Sequence, residues 1–182
     1  MEDVKSTIRQ DFKRIYPKGL RTVIRIKNFM IRDITYIKWK YIKYMRKSNK
    51  LEYNNNIINN IKKMFYDRKR NKLGLLLGYE IYSNNIGEGL CLYHNGPIVI
   101  NKKSVIGKNC SLHGDNCIGN DGISEDCPKI GDNVEIGVGA KVIGNIEIAD
   151  GVIIGAGAIV VNDILEKNIV VAGVPARKIK NK

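Results

Sequence analysis

The chain has 182 residues, 43% hydrophobic and 27% charged, which is ordinary for a globular protein and long enough to bury one core. No run of 18 apolar residues occurs and the start, MEDVKSTIRQD, lacks the basic and apolar regions of a secretory signal, so neither a spanning helix nor a signal peptide is expected. The net charge of +13 invites a nucleic-acid reading, but it is concentrated: residues 1–78 hold 21 Lys and Arg against 6 Asp and Glu, residues 79–182 hold 10 against 12.

The basic part reads as helices. Val4, Ile8, Phe12 and Ile15 recur at helical spacing up to Pro17, and Leu20, Val23, Ile24, Met30 and Ile31 suggest a second helix. Ile34, Ile37, Tyr41, Tyr44 and Met45 share one face of a third, with Lys40, Lys43, Arg46 and Lys47 opposite. After a turn at Asn54, Asn55 and Asn56, a last helix is marked by Ile57, Ile58, Ile61, Met64 and Phe65. Cationic amphipathic helices of this kind either pack with a solvated Lys-rich face or lie on an anionic membrane surface, which would bring a cytoplasmic protein to the inner face of the membrane. Nucleic acid is not expected as a partner, because no aromatic-interleaved motif accompanies the charge.

From residue 100 an aliphatic side chain returns every six residues, at Ile100, Ile106, Leu112, Ile118, Ile130, Ile136, Val142, Ile148, Ile154 and Val160. Only position 124, a serine, breaks the series, and glycine follows at Gly107, Gly119, Gly131, Gly137 and Gly155. An earlier frame, Ile86, Leu92 and Ile98, runs two residues out of phase. Six residues suit a short strand and a tight corner rather than a helix of 3.6 residues per turn. The expected fold is a parallel β-helix in which about three hexapeptides make one coil. The polar stretch 119–129, around the missing slot, is expected to be a loop thrown out of the coil and a site candidate. The division expected is a helical region over 1–77 and a β-helix over 78–182. Cys91, Cys110, Cys117 and Cys127 show no CxxC spacing, so reduced thiols are expected and no metal site.

Five stretches carry a family resemblance: GYEI at 78–81, IGEGLCLYHNGPIVIN at 86–101, CPKIGDNVEIGVGAKVIGNIEI at 127–148, IGAGAIVVNDI at 154–164 and AGVPAR at 172–177. They resemble the left-handed β-helix acyltransferases, and within these the serine acetyltransferase family and its exopolysaccharide relatives. The resemblance implies O-acetyl transfer from acetyl-CoA by direct attack on the thioester, with His94 as general base. A histidine titrates near neutrality and can take the hydroxyl proton, then return it to the departing thiolate. Glu80 matches the companion carboxylate, where serine acetyltransferases generally have Asp at a spacing that differs by one residue. His113 is expected to line the acceptor cleft or to be structural.

Loop residues Asp126 and Cys127 are further acceptor candidates. Cys127 stands where serine acetyltransferases usually have a histidine before the Pro-Lys pair, and CPxIG resembles the colanic-acid-type enzymes instead; it is expected to be a partly exposed structural thiol rather than a nucleophile. The resemblance assigns the cofactor to Gly119, Gly137, Val138, Gly139, Ala156 and Gly157, with Gly173, Pro175, Arg177 and Lys178 after the last coil. It also implies a homotrimer, with a dimer of trimers as the extension if the helices pair. The leading expectation is acetyl transfer to a glycan or glycan precursor in exopolysaccharide synthesis, and the alternative is serine O-acetyltransferase of cysteine synthesis. A γ-type carbonic anhydrase needs three histidines per zinc against the two here, and a non-catalytic scaffold would leave the histidine motif unexplained.

Overall fold

The computed structural model describes residues 3–16 and 21–182, and Pro17 and Leu20 of the first two expected helices lie outside them. The chain divides into two compact units, up to Gly78 and from Tyr79 onward.

The first unit holds four helices: α1 (Val4–Ile15), α2 (Arg21–Met30), α3 (Ile34–Asn49) and α4 (Ile57–Leu77). Asp3, Asp33 and Asn56 cap α1, α3 and α4 by accepting bonds from first-turn amides. Tyr16, Tyr41, Ile42 and Met45 form the centre. One expectation about faces does not hold. Arg46, expected on a solvated row, is buried, because its guanidinium makes a two-pronged contact with the equally buried Asp11 of α1, Nε to Oδ2 at 3.0 Å and Nη2 to Oδ1 at 3.2 Å. The apolar row of α4 is exposed instead of packed, since this helix turns a polar face towards α3. There Asp67 accepts from Ser48 and Tyr53 and lies near Lys63 and Arg70. Burial alone would raise the Asp67 pKa; the Ser48 hydroxyl and the two cations outweigh it and hold the carboxyl below its usual range. No helix among the described residues is long and apolar enough to cross a membrane.

In the second unit the strands are two to five residues long: β1 (Tyr79–Ile81), β2 (Cys91–Leu92), β3 (Ile98–Ile100), β4 (Val105–Ile106), β5 (Ser111–Leu112), β6 (Asn116–Gly119) and β7 (Lys129–Ile130). They continue as β8 (Glu135–Ile136), β9 (Lys141–Ile143), β10 (Glu147–Ile148), β11 (Ile153–Ile154), β12 (Ile159–Val160), β13 (Ile169–Ala172) and β14 (Arg177–Asn181). Three sheets form, in the orders β1-β3-β6-β9-β12, β4-β7-β10 and β2-β5-β8-β11-β13-β14. All pairings are parallel except β13 with β14, which folds back as an antiparallel last strand. Isolated bridges Ile86–Ile106 and Ile148–Ile164 extend the second sheet at both ends. The chain thus visits first, second and third sheet in turn, which is a three-sided parallel β-helix.

Its core is three aliphatic columns. Ile81, Ile100, Ile118, Val142 and Val160 stack on the first side, Ile86, Ile106, Ile130 and Ile148 on the second, and Leu92, Leu112, Ile136, Ile154 and Val171 on the third, all buried. Each buried side chain contributes roughly 1.5–3 kcal/mol. Where coils are regular the step between stacked residues is 18, as from Val142 to Val160. It is 24 from Ile118 to Val142, and the extra residues form the irregular stretch between Gly119 and Lys129. It is 20 from Leu92 to Leu112, so the two-residue phase offset of the early frame is an enlarged first coil.

Arg46→Met removes the two-pronged cationic partner of the buried Asp11 carboxylate and lowers the stability of the helical unit by about 3–5 kcal/mol, whereas exposed Arg68→Ala changes it by less than about 0.5 kcal/mol. Urea unfolding followed by fluorescence of Trp39, the only tryptophan and part of α3, measures both.

Candidate active site

The two added residues of the first coil fall between β2 and β3. Leu92 and Ile100 of the inner columns are separated by eight positions, where Leu112 and Ile118 one coil on are separated by six. The surplus is expelled as Tyr93–Pro97, and His94 stands exposed on it. Tyr79, buried inside the first coil, donates its hydroxyl to the His94 carbonyl at 2.7 Å and anchors the bulge from within.

Below His94 the next coil presents Gly114, whose φ is 113°. A Cβ there would lie 3.3 Å from the His94 Cβ, so the histidine rests on bare backbone. That backbone is held by Asn116, only 1% exposed. Its Oδ1 accepts from the Gly114 amide at 2.9 Å, and its Nδ2 donates to the carbonyls of Gly137 at 2.8 Å and Ala140 at 3.2 Å in the following coil.

His113 lies beside this corner, half-buried. Its ring stacks on Tyr93 with centroids 4.4 Å apart and planes 11° from parallel, and its Nε2 faces Glu135 Oε1 at 2.9 Å. A carboxylate only accepts, so the Nε2 that faces it carries a proton. His94 and His113 therefore belong to one corner. Glu80 is on the exposed side of β1, and no hydrogen bond or ion pair joins it to His94.

The residues assigned to the cofactor divide into groups. Gly137, Val138, Gly139, Ala156, Gly157 and Gly173 continue the corner on which His94 stands: the Gly139 amide donates to the Gly114 carbonyl at 3.0 Å and the Gly157 amide to the Val138 carbonyl at 2.8 Å. At Gly137 the reason for glycine is coil stacking, since a Cβ would lie 2.6 Å from the Ala156 nitrogen. At Gly157 a Cβ would meet nothing within 4 Å, so the outer face of the corner is open. Exposed Arg177 and Lys178 help line a cavity of about 230 Å³, and Lys178 is paired with Glu166 at 2.5 Å. Pro175 is exposed close by, and Gly119 is buried at the end of β6.

The loop sits elsewhere. It leaves the far end of the first sheet's side, a sheet width from the His94 corner within one chain. Asp121 caps its turn by accepting from the amides of Ile123 and Ser124, both at 2.9 Å, and these bonds hold its pKa below the usual carboxylate range. Lys103 bonds Glu125 across it, and Asp126 is exposed. Cys127 is buried rather than partly exposed, its Sγ turned inward to the Glu125 carbonyl at 3.7 Å. Sequence reasoning misses Tyr79, Tyr93, Gly114, Asn116 and Glu135, which meet their partners only through the stacking of coils; Tyr79, Tyr93 and Glu135 lie inside the stretches that carry the family resemblance, and Gly114 and Asn116 outside them.

Comparison with known proteins adds a second line of observation. Residues 127–162 match the family described as bacterial transferase hexapeptide (six repeats). A serine acetyltransferase of Synechococcus elongatus is 35% identical over 108 residues, 58% of this chain and 44% of that protein. Among solved structures, the serine acetyltransferase of Brucella abortus strain S19 aligns with a TM-score of 0.75 at 25% identity, over 98% of this chain and 69% of that one. Neisseria gonorrhoeae serine acetyltransferase in complex with serine aligns with a TM-score of 0.67 at 25% identity, over 97% and 69%. The chain spans less than half the length of the sequence relatives it matches. These similarities correct the leading functional expectation: the relatives are serine acetyltransferases, and neither the colanic-acid-type branch nor a glycan acceptor finds support among them.

Asn116→Ala leaves the Gly114 amide and the Gly137 and Ala140 carbonyls without their side-chain partner, at a cost of about 2–4 kcal/mol. Thermal unfolding of the β-helical unit followed by circular dichroism measures the loss.

Proposed function

We propose that this chain is an O-acetyltransferase of the serine acetyltransferase type, moving the acetyl group of acetyl-CoA to the hydroxyl of L-serine. The observation that carries the reading is the continuous corner from His94 through Gly114 to Gly139 and Gly157, a base at one end of a backbone surface that side chains leave open. The similarity to serine acetyltransferases supports the acceptor. The left-handed sense of the coil, the cytoplasmic location and the assignment of residues 79–182 as the catalytic unit belong to the same reading.

In this mechanism His94 accepts the serine hydroxyl proton as the oxygen attacks the thioester carbonyl, and it returns the proton to sulfur as the carbon–sulfur bond breaks. Tyr79 and Gly114 fix the backbone and the near side of that imidazole, and Glu80 is the companion carboxylate, engaged once the acceptor is in place. His113, oriented by Glu135 and Tyr93, borders the acceptor. The small residues of the corner allow close approach of the pantetheine arm, while Arg177 and Lys178, after the last coil, are the cations offered to its phosphates. Since Asp126 and Cys127 lie a sheet width from His94 in one chain, their place in an acceptor site requires the neighbouring subunit of a trimer.

Release of CoA from acetyl-CoA is expected to depend on L-serine. His94→Ala lowers the rate by roughly 10²–10⁴-fold, and Gly114→Ala, which pushes against the His94 Cβ, by roughly ten- to a hundredfold in a folded protein. Serine-independent release, or full activity of His94→Ala, overturns the reading.

A further inference from the structure

The strongest feature outside the corner is α4. Its inward face is polar: Lys63 donates to the Ser48 carbonyl at 3.3 Å, Tyr66 stacks on Tyr44 at 6.3 Å, and Asp67, the only acid of the helix, is occupied by Ser48, Tyr53, Lys63 and Arg70. Its outward face is apolar. Ile57, Ile61, Met64 and Phe65 are 50–68% exposed, and Leu75 and Leu76 are 89% and 64% exposed at its far end. Lys62, Arg68, Lys69 and Lys72 are exposed among them, so the outward face carries four cations and no acid. A 21-residue helix that hides its polar side and displays its apolar one is the reverse of a helix packed only within its own unit.

A second observation lies nearby. The end of α2, α3 and Leu73 of α4 enclose a cavity of about 410 Å³ whose walls include Phe29, Met30, Ile37 and Leu73, and whose charged groups are Arg32 and Lys40. Met30 and Phe29 are themselves 72% and 53% exposed, and α2 contains no acid. Both places combine apolar surface with positive charge alone, which complements a partner that is apolar and anionic at once.

We infer that the helical unit docks on the surface of an anionic phospholipid bilayer through the outward face of α4 and the apolar end of α2. Acyl chains meet the apolar row and phosphates meet Lys62, Arg68, Lys69 and Lys72, the arrangement of an interfacial helix. Charge complementarity selects this occupant. A second copy of the same face would set four cations against four cations, and a nucleic acid would satisfy the cations but leave the Ile, Met and Leu side chains in water. The inference is independent of the acetyl-transfer reading.

The test is flotation of the full chain with vesicles of phosphatidylcholine alone or with about a third phosphatidylglycerol. Partitioning is expected to be at least about tenfold stronger on the anionic vesicles and to weaken in high salt. The paired change Ile61→Glu with Met64→Glu, at exposed positions, is expected to reduce it by at least about tenfold. Its thermal unfolding and its serine-dependent CoA release should match the parent protein. Arg68→Gln with Lys72→Gln serves as a second variant that keeps the apolar row. Equal binding to both vesicles, binding to neither, or binding insensitive to both pairs overturns the inference. Absence of vesicle binding together with a smaller assembly mass for the Glu pair, by light scattering, assigns the face to a second copy instead.

Discussion

The constraint on which the second unit depends is the stacking of aliphatic side chains in three inner columns. Parallel strands of two to four residues have little cohesion of their own, and most of what holds a coil is the contact of its three inward side chains with those above and below. That contact sets a step of 18 residues in the regular coils, and the last coil closes with 17 from Ile154 to Val171. A coil with more residues cannot take them inside, because a shift along the strand would turn inward side chains outward. Surplus residues must leave at a corner.

The two coils enlarged beyond the 18-residue step both carry candidate chemistry. The first coil expels Tyr93–Pro97, which bears His94, and the third expels the loop with Asp126 and Cys127. His94 is exposed on its expelled segment but is not loose. Tyr79 reaches His94 from inside the coil, and the buried Asn116 ties the backbone beneath it to the coil beyond. The rigid columns thereby lend position to a side chain that takes no part in the core, which is what a base acting on a bound hydroxyl requires.

How much of this was readable differs between the two units, for physical reasons. The inner columns were legible because a strict period has one structural solution, and the offset of Ile86, Leu92 and Ile98 already contained the enlarged first coil. What a period does not reveal is which outward residues become neighbours: Tyr93 and His113, or His113 and Glu135, meet across steps of 20 and 22 positions that depend on where surplus residues leave. Helical periodicity identified the apolar rows in the first unit but not their direction. A row faces inward only if the opposite side has nothing better to bury, and in α4 the ion cluster around Asp67 takes that place. Arg46 was misassigned for the same reason, its partner Asp11 being 35 residues away. The acceptor was misread from Cys127, taken as the mark of a glycan-modifying branch. In the fold its thiol is turned into the loop, and similarity over the β-helical unit points to serine acetyltransferases.

The proposed acetyl-transfer site is organised around the His94 bulge. With two histidines in the chain, their ring nitrogens are two resolvable sets of signals in a long-range nitrogen–proton NMR spectrum, assigned with His94→Gln. Addition of L-serine in the presence of CoA is predicted to shift the His94 ring signals strongly, while His113 keeps its proton on Nε2 against Glu135. A titration that moves neither ring, or moves His113 and leaves His94 unchanged, would contradict the claim.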